Sequence, residues 1–198
     1  SQDTILGLMA FSDTIKPESE AVINALSNRG IQTFLLTGDK EEAASHVAQE
    51  IGIQNYRSEV LPADKHDHIN TLKVEGKIVG MLGDGINDAP ALVAADIGLS
   101  FGGGTDIAIN AADVIFMNNS LKNLVFGHRI AQATISKIHQ NLFWAFIYNL
   151  AGIPIAMGLL YPFTGTLLNP MFAGMAMAFS SVSVVTNTLL LRSKRYFR

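Results

Sequence analysis

Residues 83–92, Gly-Asp-Gly-Ile-Asn-Asp-Ala-Pro-Ala-Leu, gather the side chains of this chain best suited to chemistry. Asp84 and Asp88 share one loop, with Asn87 between them. Gly83 and Gly85 let the backbone turn sharply there. Hard oxygen ligands on a tight turn suit Mg²⁺, which takes one or two carboxylates and leaves its other positions to water and phosphate. Two further polar stretches fit the same chemistry: the loop Thr37-Gly38-Asp39, and the helix start that carries Lys65. Phosphoryl transfer asks the protein for charge neutralisation and positioning more than for covalent machinery. In that reading Thr37 donates a hydrogen bond to a phosphate oxygen and Lys65 neutralises its charge. Asp84 binds Mg²⁺, while Asn87 and Asp88 orient phosphate and water around it. Taken singly, each has a plainer reading as a turn, a solvated lysine or a helix cap.

The elements that would position these loops alternate along the front of the chain. Ile5–Phe11 reads as a strand, and residues 12–19 open a helix with Pro17 near its first turn and Gly30 at its end. A strand follows at 31–36, a helix at 41–50 stopped by Gly52, a short strand at 56–60 and a helix at 62–74. Residues 77–82 read as a buried strand leading into the central loop, and 89–95 as helix. A strand at 96–101, closed by Gly102, Gly103 and Gly104, precedes a helix at 105–112 and a last strand at 114–117. From Leu121 a long helix begins. Strands alternating with helices predict one parallel α/β sheet, whose strand-end loops converge on a site.

Charge divides the 198 residues. All 17 acidic residues precede Lys137, whereas five basic ones (Lys137, Arg192, Lys194, Arg195, Arg198) stand from there onward. The basic residues of the front form no stripe, which argues against nucleic acid as a partner. The absence of cysteine excludes disulfides and thiolate metal sites. The first residues lack the basic and apolar regions of a signal peptide. Leu142–Leu160 and Met171–Leu191 contain no charge, and each approaches the ~20 residues a helix needs to cross a bilayer core. The expectation is a membrane hairpin with membrane lipid around it. Basic residues flanking both ends place both termini in the cytoplasm.

The string at 83–92 resembles the hinge motif of the P-type ATPases, ion pumps of the haloacid-dehalogenase superfamily. Thr37 after one strand, Lys65 on a later helix and Gly83–Asp88 after the next strand follow that superfamily's order. The resemblance implies the roles given above for Thr37, Lys65, Asp84, Asn87 and Asp88, with Asp84 and Asp88 at Mg²⁺. It further implies cofactor contacts at Gly38, Asp39, Gly83 and Gly85, and a hinge position for Asp13. ATP would arrive through a nucleotide domain outside this chain. One departure is large: the family's phosphorylated aspartate belongs to an Asp-Lys-Thr-Gly-Thr motif, and these residues do not contain it. The sequence therefore resembles the carboxyl-terminal portion of such a pump, with no activity expected of it alone. The expected division is 1–120 phosphorylation domain, 121–140 stalk helix, 141–161 and 170–191 transmembrane helices, 162–169 outer loop and 192–198 basic tail.

The membrane portion is similar to the copper(I)/silver(I) branch of that family. Tyr148 and Asn149 on the first span, and Met177 and Ser181 on the second, are the expected Cu⁺ path. A thioether suits soft Cu⁺, although Met is also a filler of irregular gaps. With the outer boundary near Tyr161 and Leu168, Tyr148 and Ser181 lie about 19 Å deep at ~1.5 Å per residue. Polar groups near the midplane usually face a pathway. Partners in this reading are Cu⁺, lipid and the remaining domains of a pump. Two rivals are a membrane-anchored phosphatase, which lacks a paired-Asp motif, and a non-catalytic fragment that binds or regulates a complete pump.

Overall fold

A computed structural model describes residues 14–165 and 170–190. The expected strand Ile5–Phe11, the hinge position Asp13, the boundary residue Leu168 and the basic residues after Leu191 lie outside the described residues. The chain divides into two compact units, Ser1–Val125 and Phe126–Arg198.

The first unit alternates helix and strand as the sequence predicts. Its elements are α1 Ser19–Ser27, β1 Phe34–Leu36, α2 Glu41–Ile51, β2 Asn55–Arg57, α3 Pro62–Val74 and β3 Gly80–Leu82. A 3₁₀ turn at Ile86–Asp88 leads to α4 Ala89–Ala94, β4 Ile97–Phe101, α5 Asp106–Ala111 and β5 Val114–Phe116. Local chemistry explains the boundaries. Gly52 ends α2 in the left-handed conformation, φ 76°, where glycine escapes the Cβ penalty. Pro62 sits in the first turn of α3, where its missing N–H costs nothing. The Thr105 hydroxyl caps α5 by accepting from the Ala108 amide.

Every strand pair among the described residues is parallel, as the sequence predicts, and these strands form two ladders. β1 pairs with β2 in one, and β4 lies between β3 and β5 in the other. Among the described residues no ladder joins β1 to β3, so each keeps an edge without a partner strand. The strands are also shorter than the apolar runs suggested. Residues 77–82 do not form a buried strand: Ile78 is 86% exposed, and the strand starts only at Gly80. A carboxylate replaces the ladder there, because Asp96 accepts from the Val79 amide at 2.8 Å. Asp113 does the same for the Gly98 amide at the start of β4.

The core follows helical spacing. Ala44, Ala48 and Ile51 put one face of α2 inward, and Ala48, Ile51 and Ile53 cluster with Ile15, Ile23, Leu35 and Tyr56 around them. α3 buries Ile69 and Leu72, and α4 packs on it through buried Ala91 and Leu92.

Helix α6 runs from Lys122 to Ala156, and the second unit holds most of it. The short turn α7, Tyr161–Thr164, and α8, Pro170–Leu189, complete that unit. No helix among the described residues is long and apolar enough to cross a membrane. α6 carries Lys137, His139, Gln140 and Asn141, and α8 carries Ser180, Ser181, Ser183, Thr186, Asn187 and Thr188. Several of them join the two helices. Lys137 Nζ donates to Asn187 Oδ1 at 2.7 Å, Asn187 Nδ2 to Asn141 Oδ1 at 2.8 Å, and Asn141 Nδ2 to Thr188 Oγ1 at 2.9 Å.

Candidate functional site

The carboxyl end of β3 carries the loop that the sequence singled out. The Gly83 amide donates to Leu99 O of β4, which holds the start of the loop against the sheet. The chain then turns through Asp84 and Gly85 into the 3₁₀ turn that bears Asn87 and Asp88. Asp88 folds back over this turn. Its Oδ2 accepts from the Gly85 amide at 3.3 Å, and a Cβ at Gly83 would meet Asp88 Cβ at 2.6 Å. Gly83 is therefore the residue that lets Asp88 lie against the strand end. The neighbouring loop supports Asp84 from behind: Thr105 N donates to Asp84 O at 2.9 Å, and a Cβ at Gly104 would meet that oxygen at 3.0 Å.

Lys65, on the first turns of α3, reaches this loop. Its Nζ donates to Asp88 Oδ1 at 2.8 Å, and both side chains are about 15% exposed. The phosphate expected as the partner of Lys65 is not needed to hold it there: its Nζ pairs with the Asp88 carboxylate of this loop. Asp84 and Asn87 are exposed beside the pair. This donor set suits Mg²⁺. Among the described residues no three or more His, Cys, Asp or Glu side chains gather around a metal, and Mg²⁺ takes one or two carboxylates with water and phosphate completing its shell.

Thr37 closes β1 on the other sheet. Its hydroxyl donates to Asp39 Oδ2 at 2.7 Å and accepts from the Asp39 amide at 3.1 Å, which forms a tight turn through Gly38. The exit of β2 braces that turn: Val60 N donates to Thr37 O, and Glu59 N donates to Asp39 O at 2.8 Å. Glu59 does so at φ 52°, in the left-handed region that a non-glycine residue seldom occupies. Both polar loops thus stand at the carboxyl ends of strands that keep an unpaired edge among the described residues.

A cavity of about 740 Å³ lies elsewhere, among Glu41, Tyr56, Arg57, Asp67 and His68. Hydrogen bonds from Ser58 and then Tyr56 hold the Glu41 carboxyl below its usual range. Burial, reinforced by Arg57, lowers His68.

The residues of the expected Cu⁺ path stand on α6 and α8. Tyr148 stacks at a tilt on Trp144 of its own helix, ring centroids 6.2 Å apart, and Asn149 Nδ2 donates back to Ala145 O at 3.1 Å. Ser181 is exposed on α8, and the Met177 side chain lies outside the described residues. Sequence reasoning missed Asp96, whose partner Val79 stands 17 residues away. No local pattern marks such pairs.

Comparison with known proteins fits this geometry. Residues 2–96 match the haloacid dehalogenase-like hydrolase family. A probable copper-transporting ATPase of Synechococcus elongatus is 50% identical over 185 residues, which are 93% of this chain and 25% of that protein. A copper-exporting P-type ATPase of Vibrio cholerae is 48% identical over 186 residues, 94% of this chain and 20% of that protein. The crystal structure of a zinc-transporting PIB-type ATPase superposes with a TM-score of 0.81 at 35% identity, over 96% of this chain and 30% of that one. The chain thus spans a fifth to a quarter of the length of these curated relatives.

Proposed function

We propose that the chain is the carboxyl-terminal portion of a copper(I)-exporting P-type ATPase, because residues 2–96 match the haloacid dehalogenase-like hydrolase family and relatives 48–50% identical to it are copper-transporting ATPases. The complete protein would hydrolyse ATP through an aspartyl phosphate and couple this to Cu⁺ movement. The observation that carries the reading is the Lys65–Asp88 pair folded against Gly83 and Gly85 at the end of an edge strand.

In this reading a parallel strand from the rest of the pump, bearing the phosphorylated aspartate, fills the free edges of β1 and β3. Its aspartate then stands between the Thr37 and Asp84 loops. Thr37 turns its hydroxyl from Asp39 to a phosphate oxygen, and Lys65 shares its charge between Asp88 and the phosphate. Asp84, with Asn87 and Asp88 beside it, would hold Mg²⁺, which supplies charge neutralisation at the transferring group. Gly38 and Asp39 would meet the nucleotide-bearing side. The chain alone lacks the nucleophile and is catalytically silent, since covalent catalysis needs the residue that forms the intermediate.

The second unit would be the last membrane hairpin, with both ends cytoplasmic. Exposed Phe143, Phe146, Leu150 and Ile153 on α6, and Phe179, Val182 and Val185 on α8, support this. Ala133 is that unit's one buried apolar residue among the described residues, and apolar surface so extensive calls for lipid or partner helices. Tyr148, Asn149, Met177 and Ser181 would line the ion path, with thiolate ligands supplied by another helix.

The test is phosphorylation of the complete protein by ATP. Asp84→Asn is expected to abolish the phosphoenzyme and Lys65→Ala to lower it severely. Normal phosphoenzyme in Asp84→Asn overturns the assignment.

A further inference from the structure

The segment between the expected hinge and α1 grips the start of α6. Lys16 Nζ donates to Asn119 O at 2.8 Å and lies 4.5 Å from the centroid of the Phe101 ring, a cation–π distance. Two residues on, Glu18 Oε1 accepts from the Ser120 hydroxyl at 3.1 Å. Over a hundred residues of chain separate the partners in each contact. Pro17 stands between Lys16 and Glu18 and fixes its own φ.

What these residues hold is the root of a helix. α6 begins at Lys122, so Ser120 and Leu121 are its approach, and the first amides of a helix have no intrahelical acceptor. Glu18's own amide first, then the Ser120 hydroxyl, the Leu121 amide and the Lys122 charge, hold its carboxyl below the usual range against the opposing effect of desolvation. A carboxylate at that end also meets the positive pole of the helix. The same loop packs on the back of the phosphate-site loop. A Cβ at Gly103 would meet the Asn119 side chain at 3.2 Å, and the next two residues, Gly104 and Thr105, contact Asp84 O.

We propose that Lys16 and Glu18 are positioning residues that clamp the root of α6 to the loop behind Asp84, so that a change at Asp84 is passed to the long helix. The anchoring half stands on the contacts alone; the coupling half rests on the pump reading above. Lys16 fixes the loop from the side of Phe101, and Glu18 supplies from a distant segment the acceptor that an N-cap side chain normally provides. With either contact removed, the first turn of α6, Lys122–Val125, loses its anchor on that loop.

The experiment has two readouts. In the 198-residue chain, amide hydrogen exchange at residues 121–124 should become about fivefold faster in Glu18→Gln, the usual scale for a lost cap. It should stay unchanged in Glu20→Gln, whose side chain is exposed on the next turn. In the complete protein, Glu18→Gln and Lys16→Leu should keep phosphoenzyme within about twofold of the parent while ion moved per phosphoenzyme falls by about fivefold. Lys16→Arg, which keeps a cation over Phe101, should restore it. Unchanged exchange in Glu18→Gln overturns the anchoring. Phosphoenzyme and transport falling in equal proportion overturn the coupling, because that is what lost stability alone would give. A parent protein that forms no phosphoenzyme overturns the pump reading and with it the coupling, while the exchange result still decides the anchoring.

Discussion

At the scale of single residues, Gly83 and Lys65 both act through Asp88. Gly83 makes room for it, and Lys65 neutralises it. Gly83→Ala places a methyl group where Asp88 Cβ stands, and should destabilise the first unit by about 1–3 kcal/mol, as overpacking does. Lys65→Met leaves a carboxylate about 15% exposed without its cation, at a similar cost of about 1–3 kcal/mol. Adding Asp88→Leu to Lys65→Met should recover part of that loss, since a partly buried charge pair is often replaceable by apolar residues. Urea unfolding of the four chains checks this. A double variant no more stable than Lys65→Met would mean that the pair is not what Lys65 stabilises. Spacing in the sequence marked Thr37, Lys65, Asp84, Asn87 and Asp88 as one set. It did not show that Lys65 pairs with Asp88, because a contact across 23 residues depends on how α3 docks.

At the scale of elements, helices were legible and strand limits were not. α2 and α3 were readable because apolar spacing, Gly52 and Pro62 all agree. β3 starts later than the apolar run of 77–82 suggested because Asp96 takes over the Val79 amide. The Asp96 cap also has a pH signature. The Val79 amide and then Lys73 hold the Asp96 carboxyl below its usual range. A depressed folded value means stability that is present above the ordinary carboxylate range and lost as pH falls through the folded value. Glu41 and Glu75 act in the same direction, Glu75 through hydrogen bonding and charge from Lys77. His68, lowered by burial, also loses its contribution on acidification, beginning nearer neutrality. The melting temperature should therefore fall between about pH 5 and about pH 3, and Asp96→Asn should flatten that slope. A slope unchanged in Asp96→Asn would assign the acid sensitivity to the other groups.

At the scale of the whole molecule, the chain reads as two units with different needs. The first carries two half-sites on edge strands. The second exposes apolar side chains along both long helices and joins them through Lys137, Asn141, Asn187 and Thr188. On the proposed reading each would be completed by something else: a strand bearing an aspartate for one, lipid and further helices for the other. This is what a quarter-length portion of a pump would require. The uncharged runs of the second unit were legible in the sequence, whereas the hydrogen bonds through Lys137, Asn141, Asn187 and Thr188, beside or within those runs, were not, because they depend on how two helices 46–50 residues apart are paired. The central claim is that this portion serves a copper-dependent phosphorylation cycle. The measurement that tests it is the metal dependence of phosphoenzyme formation from ATP in the complete protein, with Cu⁺, Zn²⁺ or no metal added. The account predicts a phosphoenzyme that forms with Cu⁺ and not with Zn²⁺ or in the absence of metal; formation with Zn²⁺ alone, or equally with no metal, would contradict it.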